Sequence, residues 1–236
     1  MQIKVIAIGS TGWERFIRRW GLSFLIGKDL IFDTFGDPGV LARNIQRFKV
    51  DPSEIKHIVL SHDDWDHITG LWYLVPKCKD IKVYVCPNFK EEIKERIASF
   101  GAQVVEVGES IEIKDGIYLS GELLKESDGR KIYEQVVVIR IKDGLAVICG
   151  CAHPGIVNIV RQVGESFKTN VRWLIGGFHL KNNTFQSNLD IIKELKSMGI
   201  IRIAPMHCTG KVATNLMREE FGQGFIGLKE GESIGL

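Results

Sequence analysis

Apolar residues along this chain fall into short runs bounded by glycines and charged residues, and the spacing of those runs predicts the elements. Gln2–Ile8, Leu22–Ile26 and Asp29–Asp33 are aliphatic and read as strands. Asp37-Pro38 sets a capping carboxylate before a proline at the first helical position, which opens a helix running through Phe48. Ile58–Ser61 is a short strand of the fully buried type. Asn88–Phe100 has helical period, with charges on one side and Ile93, Ile97 and Phe100 on another. Gln103–Val107, Ile111–Ile113 and Ile117–Ser120 predict strands joined by tight turns. Glu134–Ile141 and Leu145–Ile148 predict a hairpin across Lys142-Asp143-Gly144.

The last third repeats strand then helix. Val171–Ile175 precedes a helix near Asn188–Met198, closed by Gly199 as C-cap. Ile201–Ala204 precedes a final helix from about Thr209 to Phe221. There is no linker, low-complexity tract or short repeat, so residues 1–236 are expected to form a single domain. Hairpins interspersed with crossovers suit a layered α/β arrangement better than a doubly wound sheet.

Charge and composition narrow the function. With 31 basic and 29 acidic residues, well mixed and netting +2, the chain has no clustered basic face for nucleic acid or an anionic membrane. No apolar stretch has the length of a membrane span, and Met1–Ile8 is not a basic leader before a long hydrophobic segment. A cytoplasmic protein is expected, and its oligomeric state is left open. The 5 cysteines form an odd set without framework spacing, which suits a reducing compartment. A chain of this length buries an adequate core without a structural metal, so a bound metal would be catalytic.

Histidines and cysteines lie just beyond the apolar runs. Ile58–Ser61 leads to His62, Leu145–Ile148 to Cys149, Cys151 and His153, Val171–Ile175 to His179, and Ile201–Ala204 to His207. Carboxyl ends of strands are where α/β proteins gather ligand-binding side chains. The densest cluster is Ser61-His62-Asp63-Asp64-Trp65-Asp66-His67, too polar for a buried strand. Imidazoles and carboxylates at this spacing are the groups that hold zinc, iron or manganese with a coordination position left for water. His57, after Lys56 at a strand entrance, reads as a surface residue.

This run, His62-x-Asp64-x-Asp66-His67, resembles the His-x-His-x-Asp-His signature of the metallo-β-lactamase superfamily. Gly21–Ile26, Ile31-Phe32-Asp33-Thr34, Gly150–Asn158, Gly176-Gly177-Phe178-His179-Leu180 and His207-Cys208-Thr209-Gly210 extend the resemblance over nearly the whole chain. Together they are similar to the branch related to dihydropterin–ribofuranosylaminobenzene-phosphate synthase. The resemblance implies an αββα sandwich, two mixed sheets with helices on the outer faces, and one or two divalent transition metal ions. It implies His62, Asp64 and His153 for a first ion, and Asp66, His67 and His207 for a second. Asp66 would also be catalytic, and Asp33 would orient a ligand from behind. Cys151 and His179 are candidates for contact with metal or substrate. Two departures stand out: position 64 is aspartate where the pattern has histidine, and Cys151 or His153 stands where a bridging aspartate is expected.

The expected activity is hydrolysis by metal-activated water of a phosphate ester, phosphodiester or related ester. The substrate would be a small molecule, phosphorylated or aromatic. A pterin-pyrophosphate-dependent synthase and a di-iron redox protein are the alternatives that the resemblance carries.

Overall fold

In a computed structural model the strand and helix signals resolve into two mixed sheets, each carried by its own unit of chain. Residues 1–127 and 129–236 are described. The units are Met1–Gly108 with Leu228–Leu236, and Glu109–Gly227.

The first unit opens with β1 (Gln2–Gly9), a short helix α1 (Gly12–Phe16), β2 (Gly21–Ile26) and β3 (Leu30–Phe32). Helix α2 (Pro38–Arg47), β4 (His57–Val59), α3 (Trp65–Ile68) and α4 (Leu71–Leu74) follow. Strand β5 (Lys82–Val85), α5 (Glu91–Ser99) and β6 (Gln103–Glu106) complete the run, and the C-terminal strand Ser233–Gly235 returns to pair with β1. The sheet order is C-terminal strand, β1, β2, β3, β4, β5, β6. The pairs β1–β2 and β2–β3 are antiparallel, while β3–β4, β4–β5 and β5–β6 are parallel. Phe24 and Phe32 face each other across the β2–β3 pair with ring centroids 6.4 Å apart. Asp37 caps α2 by accepting from the amides of Gly39 and Val40, as the Asp-Pro signal predicts. Buried Asn44 ties that helix to β1 by donating to the Ile6 carbonyl at 2.8 Å.

The second unit runs β7 (Ile111–Lys114), β8 (Ile117–Leu119), β9 (Leu123–Ser127), β10 (Arg130–Glu134), β11 (Val137–Ile141) and β12 (Gly144–Cys149). Then come α6 (Ile156–Phe167), β13 (Val171–Gly177), α7 (Phe185–Ser197), β14 (Arg202–Met206) and α8 (Lys211–Phe221). Six strands form a sheet in the order β14, β13, β12, β11, β8, β7, and β9 with β10 make a separate hairpin. Strands β12, β13 and β14 are parallel neighbours, so their carboxyl ends share one edge. The core of this unit gathers Val147, Cys149, Ile156, Ile159, Val163, Leu174, Ile192 and Leu216, among others. Among the described residues no helix is long and apolar enough to cross a membrane.

Several elements differ from their sequence signals. The predicted strand Glu134–Ile141 is two strands, broken at Gln135-Val136. Helix α6 escapes the reading because Ile156, Val157, Ile159, Val160 and Val163 are β-branched, and β-branching favours strands; packing of their buried stripe overrides it. Strand β5 and the hairpin of β9 and β10 were likewise not predicted. His57 is half-buried rather than a surface residue: its Nδ1 lies 3.0 Å from the Tyr84 hydroxyl on the neighbouring strand.

Glycine is structurally obligatory at two places beside the polar motif. Gly21 opens β2 at φ +114°, and a Cβ there would lie 1.9 Å from the Asp66 carbonyl oxygen. At Gly70 a Cβ would lie 1.9 Å from the Thr34 carbonyl oxygen. Backbone therefore packs directly on backbone around residues 62–70. Gly21→Ala combines a steric clash with an unfavourable φ and is expected to destabilise the protein by about 3 kcal/mol. Urea denaturation of the variant beside wild type measures this, and a midpoint within error of wild type would refute the close approach.

Candidate metal centre

Asp33 directly follows β3, and β4 leads through Leu60 and Ser61 to His62. Because the two strands are parallel neighbours, both ends arrive at one edge. Short helix α3 then carries Asp66 and His67 back toward it. His62, His67 and Asp33 are fully buried and Asp66 nearly so, whereas Asp64, at the N-cap of α3, has 56% of its side chain exposed. The His62 and His67 rings lie 4.2 Å apart.

Asp33 organises this cluster. Its Oδ1 accepts from the Ser61 amide at 2.7 Å, and its Oδ2 accepts from Ser61 Oγ at 2.8 Å and from His67 Nδ1 at 2.6 Å. A carboxylate only accepts, so the His67 proton in this contact sits on Nδ1. Ser61 gives its hydroxyl proton to Asp33, which leaves its oxygen to accept from His62 Nδ1 at 2.7 Å. Both imidazoles are thereby held with Nδ1 engaged and Nε2 turned toward a carboxylate. His62 Nε2 lies 3.4 Å from Asp64 Oδ2, and His67 Nε2 lies 3.4 Å from Asp66 Oδ2. Burial alone would lower the His67 pKa, but the charges of Asp33 and Asp66 and their hydrogen bonds outweigh it and hold it well above the usual imidazole value. The cluster thus favours a cation.

A second donor set lies in the second unit, at the carboxyl ends of β12, β13 and β14. Glu134, fully buried, receives the amides of Cys151 and Ala152 on Oε1 at 3.0 and 2.8 Å. Its Oε2 accepts from the His153 amide at 2.7 Å and lies 3.1 Å from His153 Nδ1. This carboxylate does for His153 what Asp33 does for His67. The ring of His153 lies 4.6 Å from that of His179, which is exposed. His207 is buried after β14, at φ +53°. Cys208 follows it, and its Sγ accepts from the His179 amide at 3.3 Å.

Two thiols shift in opposite directions. Burial would raise the Cys208 pKa, yet its contact with Cys151 and the nearby His207 and His179 bring it well below the usual thiol value. Burial, aided by Glu134 and Cys208, pushes Cys149 well above that value. Among the described residues no disulfide joins any of the 5 cysteines.

The structure therefore brings His62, Asp64, Asp66 and His67 together around Asp33 in one unit. In the other unit it brings Cys151, His153 and His179 together around Glu134. Glu134 and Ser61 were not singled out from sequence. The available signal for Glu134 was a charged residue opening an apolar run, where a solvated turn is ordinarily the explanation. The mixture of imidazole nitrogen, carboxylate oxygen and thiol sulfur, with Nδ1 groups already engaged, suits a divalent first-row transition metal.

Comparisons with known proteins place the chain in a family. The family model described as "Metallo-beta-lactamase superfamily" matches residues 21–207, a span that contains every donor from His62 to His207. A protein of Methanocaldococcus jannaschii is 30% identical over 93% of this chain and 90% of its own length. It is named 7,8-dihydropterin-6-methyl-4-(beta-D-ribofuranosyl)-aminobenzene-5'-phosphate synthase. Among solved structures, Tm1679, titled a metal-dependent hydrolase of the β-lactamase superfamily, superposes with a TM-score of 0.79 at 25% identity, covering 100% of this chain and 99% of its own. Zinc-bound PqqB from Methylobacterium extorquens shares the fold at a TM-score of 0.69 and 14% identity, with 100% of both chains covered. The αββα class expected from the sequence is the class these neighbours share, and the chain belongs to the metallo-β-lactamase superfamily.

Proposed function

We propose that this protein is a metal-dependent hydrolase acting on a phosphate ester, phosphodiester or related ester of a small molecule. The observation that carries the reading is the ordered imidazole pair. Asp33 and Ser61 engage both Nδ1 atoms and leave Nε2 of His62 and His67 each 3.4 Å from a carboxylate oxygen, of Asp64 and Asp66. In the first unit His62, Asp64, Asp66 and His67 are proposed metal ligands, and in the second His153 and His207 are; one or two divalent ions are expected in the protein. Zinc, manganese and iron all suit a donor set of imidazole and carboxylate. Such an ion supplies Lewis acidity at the scissile group and a source of hydroxide near neutral pH.

The chain's own groups direct that chemistry. Asp33 and Glu134 stop His67 and His153 from rotating, so no reorganisation is needed as charge develops. Asp66, nearly buried beside His67, holds the attacking water and takes its proton at the carboxylate. The water oxygen bonds to phosphorus as the ester oxygen departs.

A second reading is favoured by the Methanocaldococcus jannaschii relative, which is named as a synthase. In that reaction class an arylamine takes the place of water, and pyrophosphate leaves a pterin. The two readings share the stabilisation of negative charge on phosphate oxygens and differ in the nucleophile and in the atom it attacks, phosphorus in the first and the pterin's methylene carbon in the second. Metal analysis of the purified protein, followed by turnover of aryl phosphates and bis-aryl phosphates beside a pterin pyrophosphate with an arylamine, separates them. Protein that stays metal-free after incubation with zinc, manganese or iron(II) overturns both.

Asp66→Asn is expected to lower turnover about 100-fold or more while leaving stability within about 1 kcal/mol of wild type, since the loop is held by its backbone contacts. Near-normal turnover would remove Asp66 from the mechanism.

The elevated His67 pKa gives a pH dependence of known sign. In metal-free protein the protonated His67 contributes stability that is fully present below its unfolded value of about 6.5 and is lost as pH rises through the higher folded value. A metal must displace that proton, so metal affinity should rise about tenfold per pH unit below the folded pKa and then level off. Asp33→Asn should weaken metal binding roughly 10- to 100-fold and shift the levelling-off to lower pH. Competition titration with a chelator over a pH series measures both, and a pH-independent affinity in wild type would contradict the assignment.

A further inference from the structure

We propose that helix α1 and the arginine that follows it form a binding subsite for a small anion that carries an aromatic ring. Trp13 and Phe16 take the ring and Arg18 takes the anion. The proposal rests on the hydrolase reading for the reaction, and it narrows the substrate class to aryl phosphate esters.

The segment Trp13-Glu14-Arg15-Phe16-Ile17-Arg18-Arg19 sets large rings where water reaches them. Trp13 is 68% exposed and Phe16 79%, with ring centroids 5.7 Å apart and planes inclined by 27°. The ordinary account is that aromatic residues three apart support a helix by touching each other. It does not suffice, because such side chains stabilise a fold by burying area and these two leave most of theirs in solvent. The turn that carries them is tied down: the Thr11 hydroxyl accepts from the Glu14 amide at 3.2 Å, and the Glu14 carboxylate accepts the amides of Ser10 and Thr11 at 2.9 and 2.8 Å. That use of Glu14 leaves positive charge uncompensated. Arg19 lies 3.7 Å from Asp37, but among the described residues Arg15 and Arg18 have no carboxylate partner.

Arg18 joins this patch to the motif. It follows the C-cap Ile17 at φ +58°, the left-handed place that glycine ordinarily takes. Its guanidinium carbon lies 5.1 Å from the centroid of the Trp65 ring. Trp65 stands in the chain between Asp64 and Asp66, whose carboxylates approach Nε2 of His62 and His67. Gly36 seals the contact: a Cβ there would lie 2.5 Å from the Trp65 ring and 2.7 Å from the Trp20 carbonyl oxygen. A guanidinium stacked on an indole keeps its N–H edge for bidentate bonds to phosphate oxygens. Two rings and two uncompensated guanidinium groups on a helix of 5 residues match a small molecule. Helices that lie on anionic membranes are several times longer.

Phenylphosphonate and methylphosphonate test the subsite without turnover, because neither contains an ester bond. Calorimetric titration of full-length protein should show phenylphosphonate binding roughly tenfold more tightly than methylphosphonate. The double variant Trp13→Ala, Phe16→Ala should lose that preference and keep its affinity for methylphosphonate. Arg18→Gly removes the guanidinium at a backbone conformation that glycine adopts freely, so it should fold as wild type does and bind both phosphonates about tenfold more weakly. Equal affinity for the two phosphonates in wild type overturns the proposal, and so does unchanged binding in Arg18→Gly; the wild-type comparison needs no variant to fold. Sedimentation with phosphatidylglycerol vesicles and a dilution series in solution cover the other occupants. Vesicle binding or self-association that the double variant loses would assign the patch to a membrane or to a second copy, and would overturn the proposal. A preference for phenylphosphonate without turnover of phenyl phosphate would refute hydrolysis and leave the subsite in place. Turnover without that preference would keep hydrolysis and overturn the subsite.

Discussion

The first unit depends on a carboxylate that has no water to solvate it. Asp33 is fully buried, and an isolated carboxylate in that position would cost several kcal/mol in desolvation. It is tolerable because the chain surrounds it with three donors: the Ser61 amide, the Ser61 hydroxyl and His67 Nδ1. Those donors come from the end of β4 and from α3, so satisfying one charge fixes the relative placement of β3, β4 and the motif helix. Asp33 itself takes φ +55°, a conformation that aspartate tolerates better than most residues. Removing the carboxylate would thus loosen geometry at several residues at once, while removing a partner would leave a charge buried and undersupplied.

The second unit solves the same problem with a different residue. Glu134 is also fully buried, and it accepts three successive amides, of Cys151, Ala152 and His153, while lying against the imidazole of the last. An acceptor-only group decides the direction of every hydrogen bond it joins, and this is how tautomers are selected without a dedicated proton. The longer side chain of Glu134 suits its place on β10, outside the parallel strands that deliver the donors. Asp33, directly after β3, needs only the shorter reach.

How much of this was legible in sequence follows from the range of the interactions. The helix of α2 and its Asp37 cap, the hairpin across Lys142-Asp143-Gly144 and the strands ending at donors are set by neighbours in the chain, and they were readable. The motif His62 to His67 was readable because four donor side chains in six residues is improbable in a packing segment. Helix α6 was not, because its β-branched stripe carries the propensity of a strand and only tertiary packing decides otherwise. Glu134 was not, because its role depends on residues 17 to 19 positions away, and a charged residue at the edge of an apolar run ordinarily marks solvent. The restrictions at Gly21 and Gly70 are likewise invisible locally, since each answers to a carbonyl oxygen far along the chain.

The departure at position 64 falls where physical chemistry makes it least costly. Of the four donors in the motif, His62 and His67 are buried and Asp66 nearly so, but Asp64 sits at a helix N-cap with more than half of its side chain in solvent. A carboxylate at 62 or 67 would forfeit an ordered Nδ1 hydrogen bond and bury another charge beside Asp33. At 64 it stays solvated and pays almost no desolvation, and the helix N-terminus favours a negative charge. The substitution nonetheless changes the field of the cluster, because Asp33, Asp64 and Asp66 set three carboxylates against two imidazoles. An anionic pocket of that kind draws in whichever cation is present. In the absence of metal that cation is a proton: although burial would lower it, the charges and hydrogen bonds of Asp33 and Asp66 hold the His67 pKa well above the usual imidazole range.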